Sequence, residues 1–479
     1  MTMNGALRIH LVAICGVGMA PLAVMLKRAG HVVTGSDRGV FPPMSDVLAA
    51  AGIDVAEGFS AERLESMRPD LVIVGNAVTR SNDEAAAVER IGLRRMSFPE
   101  ALRAFFLEGN RSLVVAGTHG KTTTTGMLAT ALEAAGERPG YLIGGLIRDL
   151  GEFARPGSGG YFVVEGDEYD TAYFDKQPKF LHYAPYGVIV TSIEFDHADI
   201  YRDLDHVKSA FSRLGALVPA DGPLVAYGDS ENVRSVFDGG PRRSFYGIAQ
   251  GNDWRAESVS KDARGARFVA TYRGGHEAHV GLALHGEMNV LNALAAYALC
   301  RELGVASAGV LDALASYRGA TRRQEILGEV GGVTVVDDFA HHPTAVAATL
   351  AAIRDRFPER RLCAVFEPRS NTTRRAVFQD RYAAALAAAD VVALSAVYRK
   401  ENDPLTPEQM LSTERLITDL CARNVAAWSA AGPDDILERL ARDVEPGDVV
   451  VCMSNGSFGN LPRRLLERLA RRSVARAGV

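Results

Sequence analysis

At residues 113–125 the chain reads Leu113-Val114-Val115-Ala116-Gly117-Thr118-His119-Gly120-Lys121-Thr122-Thr123-Thr124-Thr125, followed by Gly126-Met127-Leu128-Ala129. The apolar, β-branched run predicts a buried strand, and the two glycines predict a loop that leads into a helix. Such a loop turns backbone N–H groups toward one anion, and the helix N-terminus adds partial positive charge. In this pattern the lysine reaches the outer phosphates and the next hydroxyl ligates Mg²⁺. The sequence therefore predicts a polyphosphate site with Lys121 and Thr122 in these roles.

The fit to the usual phosphate-loop pattern is imperfect at one position. The pattern expects a glycine five residues before Gly120, and Val115 stands there. Gly117 is expected to take over the turn. The alternative is a glycine-containing turn before an ordinary helix, and the Gly-Lys-Thr triplet after an apolar strand favours the phosphate loop.

Length and composition limit the classes of protein to consider. A chain of 479 residues predicts roughly two to four domains. The hydrophobic fraction of 47% and the net charge of −5 are typical of a soluble globular protein and do not favour a nucleic-acid partner. The five cysteines form no CxxC pair, which favours a reducing cytoplasm. No apolar run reaches the length of about 20 residues that a membrane span needs.

The first segment has a Rossmann-like pattern. A strand from Ile9 to Ile14 leads into Gly16-Val17-Gly18-Met19, and a second strand ends at Asp37, where a dinucleotide fold places its ribose-binding acid. Pro21 stands where the dinucleotide-binding pattern has its third glycine. This makes a nicotinamide site less favoured, but a diphosphate could still bind at the start of the helix. A further strand ends at Asn76 and is expected to line the same crevice.

Acidic and polar residues follow the strands of the second segment. Tyr161–Val164 leads into Glu165-Gly166-Asp167-Glu168-Tyr169-Asp170, a density of carboxylates that predicts a nearby cation, with a solvated acidic turn as the alternative. A third strand ends at Glu194-Phe195-Asp196-His197, so His197 is a candidate for metal or proton handling. Asn289 and Asn292 share one face of a helix start, where they could cap the helix or hydrogen-bond a base; on position alone, capping is favoured.

The third segment alternates strands and helices again, which predicts a second Rossmann-like sheet. One strand ends at Asp337-Asp338-Phe339-Ala340-His341-His342-Pro343. Its acids and paired histidines could indicate a metal site, but the third segment has no other metal-type cluster, so a metal site is not favoured. Another ends at Glu367-Pro368-Arg369-Ser370-Asn371, where Arg369 could bind a carboxylate or belong to a solvated basic loop. The predicted fold is therefore α/β with three domains: a Rossmann-like domain at 1–108, a phosphate-loop ATPase domain at 109–327 and a Rossmann-like domain at 328–479.

Along nearly its whole length the sequence resembles the Mur ligases. Gly117–Thr123 looks like their phosphate loop, Glu165–Glu168 like their magnesium segment, and Gly286–Asn292 like their G-x-H-N-x-x-N segment, with Met288 in place of the usual histidine. Arg322-Arg323, and Asp338 with His342, are similar to their nucleotide contacts. Within the family the resemblance points to the members that act in peptidoglycan recycling. Those members join UDP-N-acetylmuramate to the tripeptide L-alanyl-γ-D-glutamyl-meso-diaminopimelate through an acyl phosphate.

The resemblance implies ATP and Mg²⁺ as cofactors and assigns roles to the quoted residues. The implied catalytic residues are Lys121, Glu165 and His197, and the implied metal ligands are Thr122, Glu165 and His197. The implied ATP contacts are Gly117, Thr118, His119, Gly120, Lys121, Thr122, Thr123, Asn289, Asn292, Arg322, Asp338 and His342. The implied UDP-sugar contacts are Gly16, Gly18, Met19, Asp37 and Asn76, and the implied peptide contacts are Arg369, Ser370 and Asn371.

Several alternatives remain open at this point. Within the family, the ligase that adds free L-alanine is the alternative, although it shows a histidine-arginine-tyrosine loop where Glu367 to Asn371 lie. Outside the family, a nicotinamide oxidoreductase and a nucleotide-dependent switch are the alternatives. Some relatives use a carbamylated lysine, and the spacing of Lys208 does not support that role. The expected state is a monomer or a weak homo-oligomer without nucleic-acid or membrane partners.

Overall fold

The computed structural model describes residues 5–240, 242–399, 403 and 405–477. The outermost residues of the first and third predicted domains, 1–4 and 478–479, lie outside this part of the chain. The described residues form three main β-sheets that follow one another along the chain, each covered by helices.

The first sheet is parallel. Its strands are β1 (Arg8–Val12), β2 (Val32–Asp37), β3 (Asp54–Glu57), β4 (Leu71–Val74) and β5 (Arg95–Ser97). Its helices are α1 (Met19–Arg28), α2 (Met44–Ala50), α3 (Ala61–Met67), α4 (Asp83–Ile91) and α5 (Phe98–Leu102). The strand order is β3-β2-β1-β4-β5. The order reverses between β1 and β4, so a crevice opens at their carboxyl ends, where α/β folds bind ligands.

The second sheet has ten strands and a parallel centre. Its strands are β6 (Arg111–Ala116), β7 (Gly140–Leu142), β8 (Ala154–Arg155), β9 (Tyr161–Gly166), β12 (Pro185–Val190), β13 (Leu224–Tyr227), β14 (Arg243–Gly247), β15 (Trp254–Asp262), β16 (Gly265–Tyr272) and β17 (Gly275–Leu282), and the separate hairpin is β10 (Asp170–Ala172) with β11 (Asp175–Pro178). Its helices are α6 (Lys121–Ala134), α7 (Leu204–Ala216), α8 (Glu231–Phe237), α9 (Glu287–Glu302) and α10 (Ser307–Ser316). The order is β17-β16-β15-β14-β13-β12-β6-β9-β7-β8, with antiparallel pairs at both ends.

The centre of this second sheet positions the site. Strand β6 pairs in parallel with β12 on one side and with β9 on the other. The segments that follow these three strands therefore emerge at the same edge of the sheet. They carry the phosphate loop, the acidic segment from Glu165 and the segment that contains His197.

The third sheet has six strands in the order β18-β19-β23-β20-β21-β22, where only β18 pairs antiparallel. These are β18 (Glu325–Val330), β19 (Val333–Asp338), β20 (Leu362–Phe366), β21 (Val391–Ser395), β22 (Ala426–Ala430) and β23 (Val449–Met453). The helices are α11 (Pro343–Arg356), α12 (Gln379–Leu386), α13 (Thr413–Cys421), α14 (Pro433–Asp443) and α15 (Leu461–Ala477).

The predicted α/β class with three strand-and-helix units is confirmed. Continuous apolar runs without alternation become central strands that are buried on both faces, as Leu113, Val114 and Val115 are. Each such side chain contributes about 1.5–3 kcal/mol when it is fully buried. Among the residues that the structure describes, no helix combines the length and the apolar character of a transmembrane helix.

Candidate active site

The phosphate loop between β6 and α6 depends on its two glycines. Gly117 and Gly120 have φ values of 142° and 82°, a region that favours glycine. A Cβ atom on Gly117 would lie 2.1 Å from Thr191 Oγ1, and one on Gly120 would lie 2.8 Å from Asn292 Oδ1. The loop is therefore packed closely on the end of β12 and on α9, with Gly117 at the predicted turn.

Glu168 joins two cations at the mouth of this loop. Lys121 Nζ donates to Glu168 Oε2 at 2.9 Å, and His197 Nε2 lies 3.2 Å from Glu168 Oε1. Burial disfavours the charge of Glu168, but Lys121 and His197 lower its pKa to about 2. Burial also opposes the charges of the two cations. Even so, Glu168 raises the pKa of His197 to about 9, and Glu168 with Asp167 raises the pKa of Lys121. All three groups are therefore charged at neutral pH.

Thr122 and Glu165 supply oxygen donors beside Lys121. Thr122 Oγ1 donates to Glu165 Oε2 at 3.3 Å, and the N–H of Gly144 donates to Glu165 Oε1 at 2.9 Å. Burial and the neighbouring Asp167 raise the pKa of Glu165, so a cation here would relieve the strain of like charges. Hydroxyl and carboxylate oxygens are the donors that suit Mg²⁺. His197, the third predicted metal ligand, lies against Glu168.

Arg323 brings a further positive charge to the phosphate loop. Its Nη2 donates to Thr122 Oγ1 at 3.1 Å, and its guanidinium carbon lies 4.5 Å from the centroid of the Phe339 ring. Burial lowers the pKa of this arginine, although Asp338 and Glu165 oppose the change. Both Arg322 and Arg323 resemble nucleotide contacts of the family in sequence, but only Arg322 was predicted as an ATP contact.

Arg322 itself connects the second and third sheets. Its Nη2 donates to the carbonyl oxygens of Ser454 and Gly456, at 2.7 Å each, and its Nε lies 3.2 Å from Asp337 Oδ2. Its φ is 56°. In this structure its guanidinium is therefore engaged by the third sheet, while the adjacent Arg323 faces the phosphate loop.

Asp338 shapes the same connection. Its Oδ2 accepts a hydrogen bond from the N–H of Gln324 at 2.7 Å, and its Oδ1 accepts one from the N–H of Ala340 at 2.6 Å. Burial raises its pKa, although Arg323 opposes the change. With Asp337 on Arg322 and Asp338 on backbone N–H groups, both acids of this strand end have partners other than a metal.

Asn289 and Asn292 lie beneath the phosphate loop. Asn292 Nδ2 donates to Asn289 Oδ1 at 3.4 Å, and Asn289 Nδ2 donates to the carbonyl of His285 at 2.7 Å. Gly286 precedes α9, and among the described residues no side chain caps that helix end. The interpretation of these asparagines as helix caps is therefore wrong, because their side chains face the loop and the preceding turn.

His119 and His342 meet across the junction of the second and third sheets. Their ring centroids lie 4.6 Å apart, and His119 Nε2 lies 3.5 Å from Glu194 Oε1. Burial and His119 lower the pKa of His342 to about 3, so its imidazole is neutral. One ligand atom from each of His119, Glu194 and His342 falls within 4.8 Å of the others, but Arg381 Nη2 already donates to Glu194 at 2.9 Å. The charge of the carboxylate is thus already balanced.

Two cavities meet at this site. One, of about 550 Å³, extends from Gly18 and Phe98 of the first domain past the phosphate loop to Asp338 of the third domain. The other, of about 410 Å³, is lined by Arg369, Ser370 and Asn371. Four residues line both cavities, namely Asp196, His197, His341 and Asn455. The phosphate loop and the arginine loop therefore line adjacent cavities that share a junction at these four residues.

The predicted UDP-sugar residues lie at the carboxyl ends of the strands of the first sheet. Among them, only Gly18 lines the larger cavity. A Cβ atom on Gly18 would lie 3.1 Å from the Phe98 ring. Asp37 accepts hydrogen bonds from the N–H groups of Cys15 and Gly39 at 2.8 and 3.0 Å, so it ties the β1–α1 loop to the end of β2. Gly16 and Met19 frame the same loop, and Asn76 is exposed after β4.

The predicted peptide residues lie in the loop after β20. The Arg369 guanidinium carbon lies 4.7 Å from the centroid of the Tyr398 ring, and Arg369 Nη1 lies 3.7 Å from Glu367 Oε1. Ser370 Oγ accepts a hydrogen bond from the N–H of Thr373 at 3.1 Å, and Asn371 Nδ2 donates to Asp199 Oδ2 at 2.8 Å. A planar, half-exposed guanidinium at a cavity wall can bind a carboxylate.

Comparison with known proteins agrees with this architecture. The family described as "Mur ligase family, catalytic domain" matches residues 8–108, "Mur ligase middle domain" matches 115–300, and "Mur ligase, glutamate ligase domain" matches 322–456. The UDP-N-acetylmuramate–L-alanyl-gamma-D-glutamyl-meso-2,6-diaminoheptandioate ligase of Escherichia coli K12 is 40% identical over 470 residues, covering 98% of this chain and 100% of the relative.

Two further relatives bear on the site. A UDP-N-acetylmuramate–L-alanine ligase of Syntrophus aciditrophicus is 33% identical, over 98% of this chain and 95% of its own. The crystal structure of a murein peptide ligase from Psychrobacter arcticus superimposes with a TM-score of 0.74 at 34% identity, covering 97% of this chain and 99% of the other. These matches confirm the resemblance found in the sequence motifs, and the chain belongs to the Mur ligase family.

Proposed function

We propose that this chain is the ligase that joins UDP-N-acetylmuramate to the tripeptide L-alanyl-γ-D-glutamyl-meso-diaminopimelate, with conversion of ATP to ADP and phosphate. The observation that carries the proposal is the junction of the two cavities at His197, which connects the phosphate loop to the Arg369 loop. A ligase needs this connection because an activated carboxyl group must meet an amine. The Escherichia coli relative named above supports the choice of substrates.

The size of the second cavity favours a peptide over a single amino acid. Its volume of about 410 Å³ falls within the range of about 300–1,000 Å³ that is typical of sites for larger small molecules. Free L-alanine, the amino acid in the name of the Syntrophus relative, has too few atoms to fill it. The charged wall at Arg369 suits the additional carboxylates of a tripeptide.

The first step would be phosphoryl transfer. A carboxylate oxygen of the muramyl lactyl group forms a bond to the γ-phosphorus, the bond between that phosphorus and the β,γ-bridging oxygen breaks, and ADP leaves. The main obstacle is repulsion between a carboxylate and a triphosphate. Lys121 and Arg323 lie where they would offset this negative charge, as fixed cations do in phosphoryl transfer.

Bound Mg²⁺ would supply further charge neutralisation at the transferred phosphoryl group. Thr122 and Glu165 carry the oxygen donors that fit the ion, and we assign it to them, with His197 on the same side of the site. The raised pKa of Glu165 supports this assignment, because a buried carboxylate beside Asp167 gains from a cation.

The second step would be attack of the peptide amine on the acyl carbon, with phosphate as the leaving group. The amine must lose a proton, and His341 is suited to accept it. Its Nδ1 lies 3.0 Å from the carbonyl oxygen of Phe339, which can only accept, so Nδ1 carries the hydrogen and Nε2 keeps its lone pair. Burial lowers the pKa of His341, whereas His197 is protonated at neutral pH and cannot act as a base.

The test is incubation of the purified chain with ATP, Mg²⁺, UDP-N-acetylmuramate and tripeptide, with product detection by mass spectrometry and measurement of ADP. The expected product is the UDP-muramyl tripeptide. A parallel reaction with free L-alanine provides the comparison, and preferential use of alanine or absence of ADP formation would refute the proposal. Since ATP and UDP-linked sugars are cytoplasmic metabolites, we assign the reaction to the cytoplasm. Both cavities lie within one chain, so the proposed reaction needs no second copy.

A further inference from the structure

A buried lysine in the larger cavity has an incomplete set of partners. Lys179 follows β11, and only 7% of its surface is exposed. Its Nζ lies 3.6 Å from Asp167 Oδ2. Within the described ranges of the chain, this ammonium group makes no hydrogen bond of 3.5 Å or less. Buried ammonium groups normally have close hydrogen-bonding acceptors, because burying an unpaired charge is costly.

The position of Lys179 connects the first sheet to the acidic segment. Its Nζ lies 4.0 Å from the centroid of the Tyr169 ring and 5.5 Å from that of the Phe98 ring. Phe98 belongs to α5 of the first domain and packs against Gly18, on the loop assigned to the UDP-sugar. Tyr169 and Asp167 belong to the segment after β9 that also carries Glu165. The lysine therefore lies between the acceptor loop and the place of phosphoryl transfer.

The charges around this point create a need for such a cation. Glu165, Asp167 and Glu168 all line the cavity that the reacting carboxylate must enter. Glu168 is neutralised by Lys121 and His197, as described above, and Mg²⁺ is assigned to Glu165. Asp167 interacts with the Tyr169 hydroxyl and lies 3.6 Å from the ammonium group of Lys179. A further carboxylate can approach this segment only beside a positive charge that is not already fully engaged.

We propose that Lys179 binds the lactyl carboxylate of UDP-N-acetylmuramate and guides it to the γ-phosphate, an inference that rests on the proposed function. The aromatic faces of Tyr169 and Phe98 hold the ammonium group in place and leave it available to an anion. Lys179 is thus a residue that distinguishes acceptors with a carboxylate from the otherwise similar UDP-N-acetylglucosamine, which lacks the lactyl group.

The test compares Lys179→Met with wild type by calorimetric titration with each UDP-sugar and by steady-state kinetics. Loss of a charged hydrogen bond should weaken UDP-N-acetylmuramate binding by about tenfold to a hundredfold. Binding of UDP-N-acetylglucosamine and the KM for ATP should change by less than about threefold. Lys176→Met is the matched control: this lysine lies in β11 just before Lys179, is largely exposed and pairs with Asp170, so its variant should behave as wild type.

Equal weakening for both UDP-sugars would overturn the inference, because Lys179 would then bind the diphosphate. Unchanged binding of UDP-N-acetylmuramate, or loss of ATP affinity alone, would also overturn it. A wild-type chain that forms no UDP-muramyl tripeptide would instead refute the proposed function, so the two failures are distinguishable.

A measurement on the wild-type chain covers the case in which Lys179→Met does not fold. Acetic anhydride labelling, followed by peptide mass spectrometry, reports the reactivity of Lys179 against that of Lys176 in the same digest. UDP-N-acetylmuramate should slow acetylation of Lys179 severalfold more than UDP-N-acetylglucosamine does. Equal protection by the two UDP-sugars would contradict the inference.

Discussion

Replacement of Glu168 by glutamine should change the titration of His197. The variant keeps the shape of the side chain but removes the negative charge that lies 3.2 Å from His197 Nε2. In the native chain this contact raises the pKa of His197 to about 9, against an ordinary 6.5. Because Asp196 also favours the charged imidazole and remains in place, the expected fall is about one to two pH units. At about 1.4 kcal/mol per pH unit, this corresponds to about 1–3 kcal/mol of interaction.

The sign of the effect on stability follows from the direction of the pKa change. The pKa of His197 in the folded chain is above its unfolded value. Its pair with Glu168 therefore contributes fully below about pH 6.5 and is lost as the pH rises through 9. The melting temperature of Glu168→Gln should consequently lie furthest below that of wild type between about pH 5 and pH 6.5, where the contributions of both Glu168 and His197 are complete. The difference should narrow above pH 9.

The assay is a histidine-selective NMR titration from pH 5 to pH 10, with His197→Asn used to assign the resonance. Asparagine suits this position because His197 has a φ of 51°, and asparagine tolerates that conformation. Asp199→Asn is the matched control, since this carboxylate lies in the same segment and contacts Asn371. A His197 midpoint that stays near 9 in Glu168→Gln would refute the assignment of Glu168 as the partner that keeps His197 charged.

Four further variants test the site. Lys121→Ala should lower the rate of ADP formation by about a hundredfold to a thousandfold, with folding checked by circular dichroism; near-normal turnover would contradict its role. Glu165→Gln should raise the Mg²⁺ concentration needed for half-maximal activity by about tenfold or more, and an unchanged requirement would place the ion elsewhere. Arg369→Ala should raise the KM for tripeptide by about tenfold to a hundredfold and leave ATP affinity intact; loss of ATP binding would mean that this loop is misassigned. Gly120→Ala should weaken ATP binding by about tenfold or more, since its Cβ would meet a neighbour at 2.8 Å. Gly136→Ala has a similar φ of 85° with no atom within 4 Å and should bind ATP normally.

The fold was predictable because its signals are local. A continuous apolar run bounded by glycines marks a central parallel strand whatever the rest of the chain does. The phosphate loop combined such a run with Gly117 and Gly120, so its strand, turn and helix could be read from thirteen consecutive residues.

The partners within the site were less accessible to sequence reasoning, because they depend on side chains that are distant along the chain. Glu168 was one of four acids in a short segment, and nothing in that segment distinguishes the acid that Lys121 contacts. Arg323 and Arg322 are adjacent and chemically identical, and only the path of the backbone decides which one faces Thr122. For the asparagines of α9, the local preference for capping gave the wrong interpretation, since tertiary packing against Gly120 determines their orientation.

The contacts that close the junction also involve the residues that carry its chemistry. The segment after β12 carries His197, which lies at the phosphate-loop end of the site. In the same segment, Glu194 accepts a hydrogen bond from Arg381 at 2.9 Å and Asp199 accepts one from Asn371 at 2.8 Å, and both donors belong to the third domain. Such exposed polar contacts contribute about 0–1 kcal/mol each, so they can break and re-form as large substrates enter and leave. An acyl phosphate must be protected from water while it waits for the amine. Because one short segment contacts the third domain and also carries His197, docking of that domain would assemble the peptide end of the site at the same time as it excludes water.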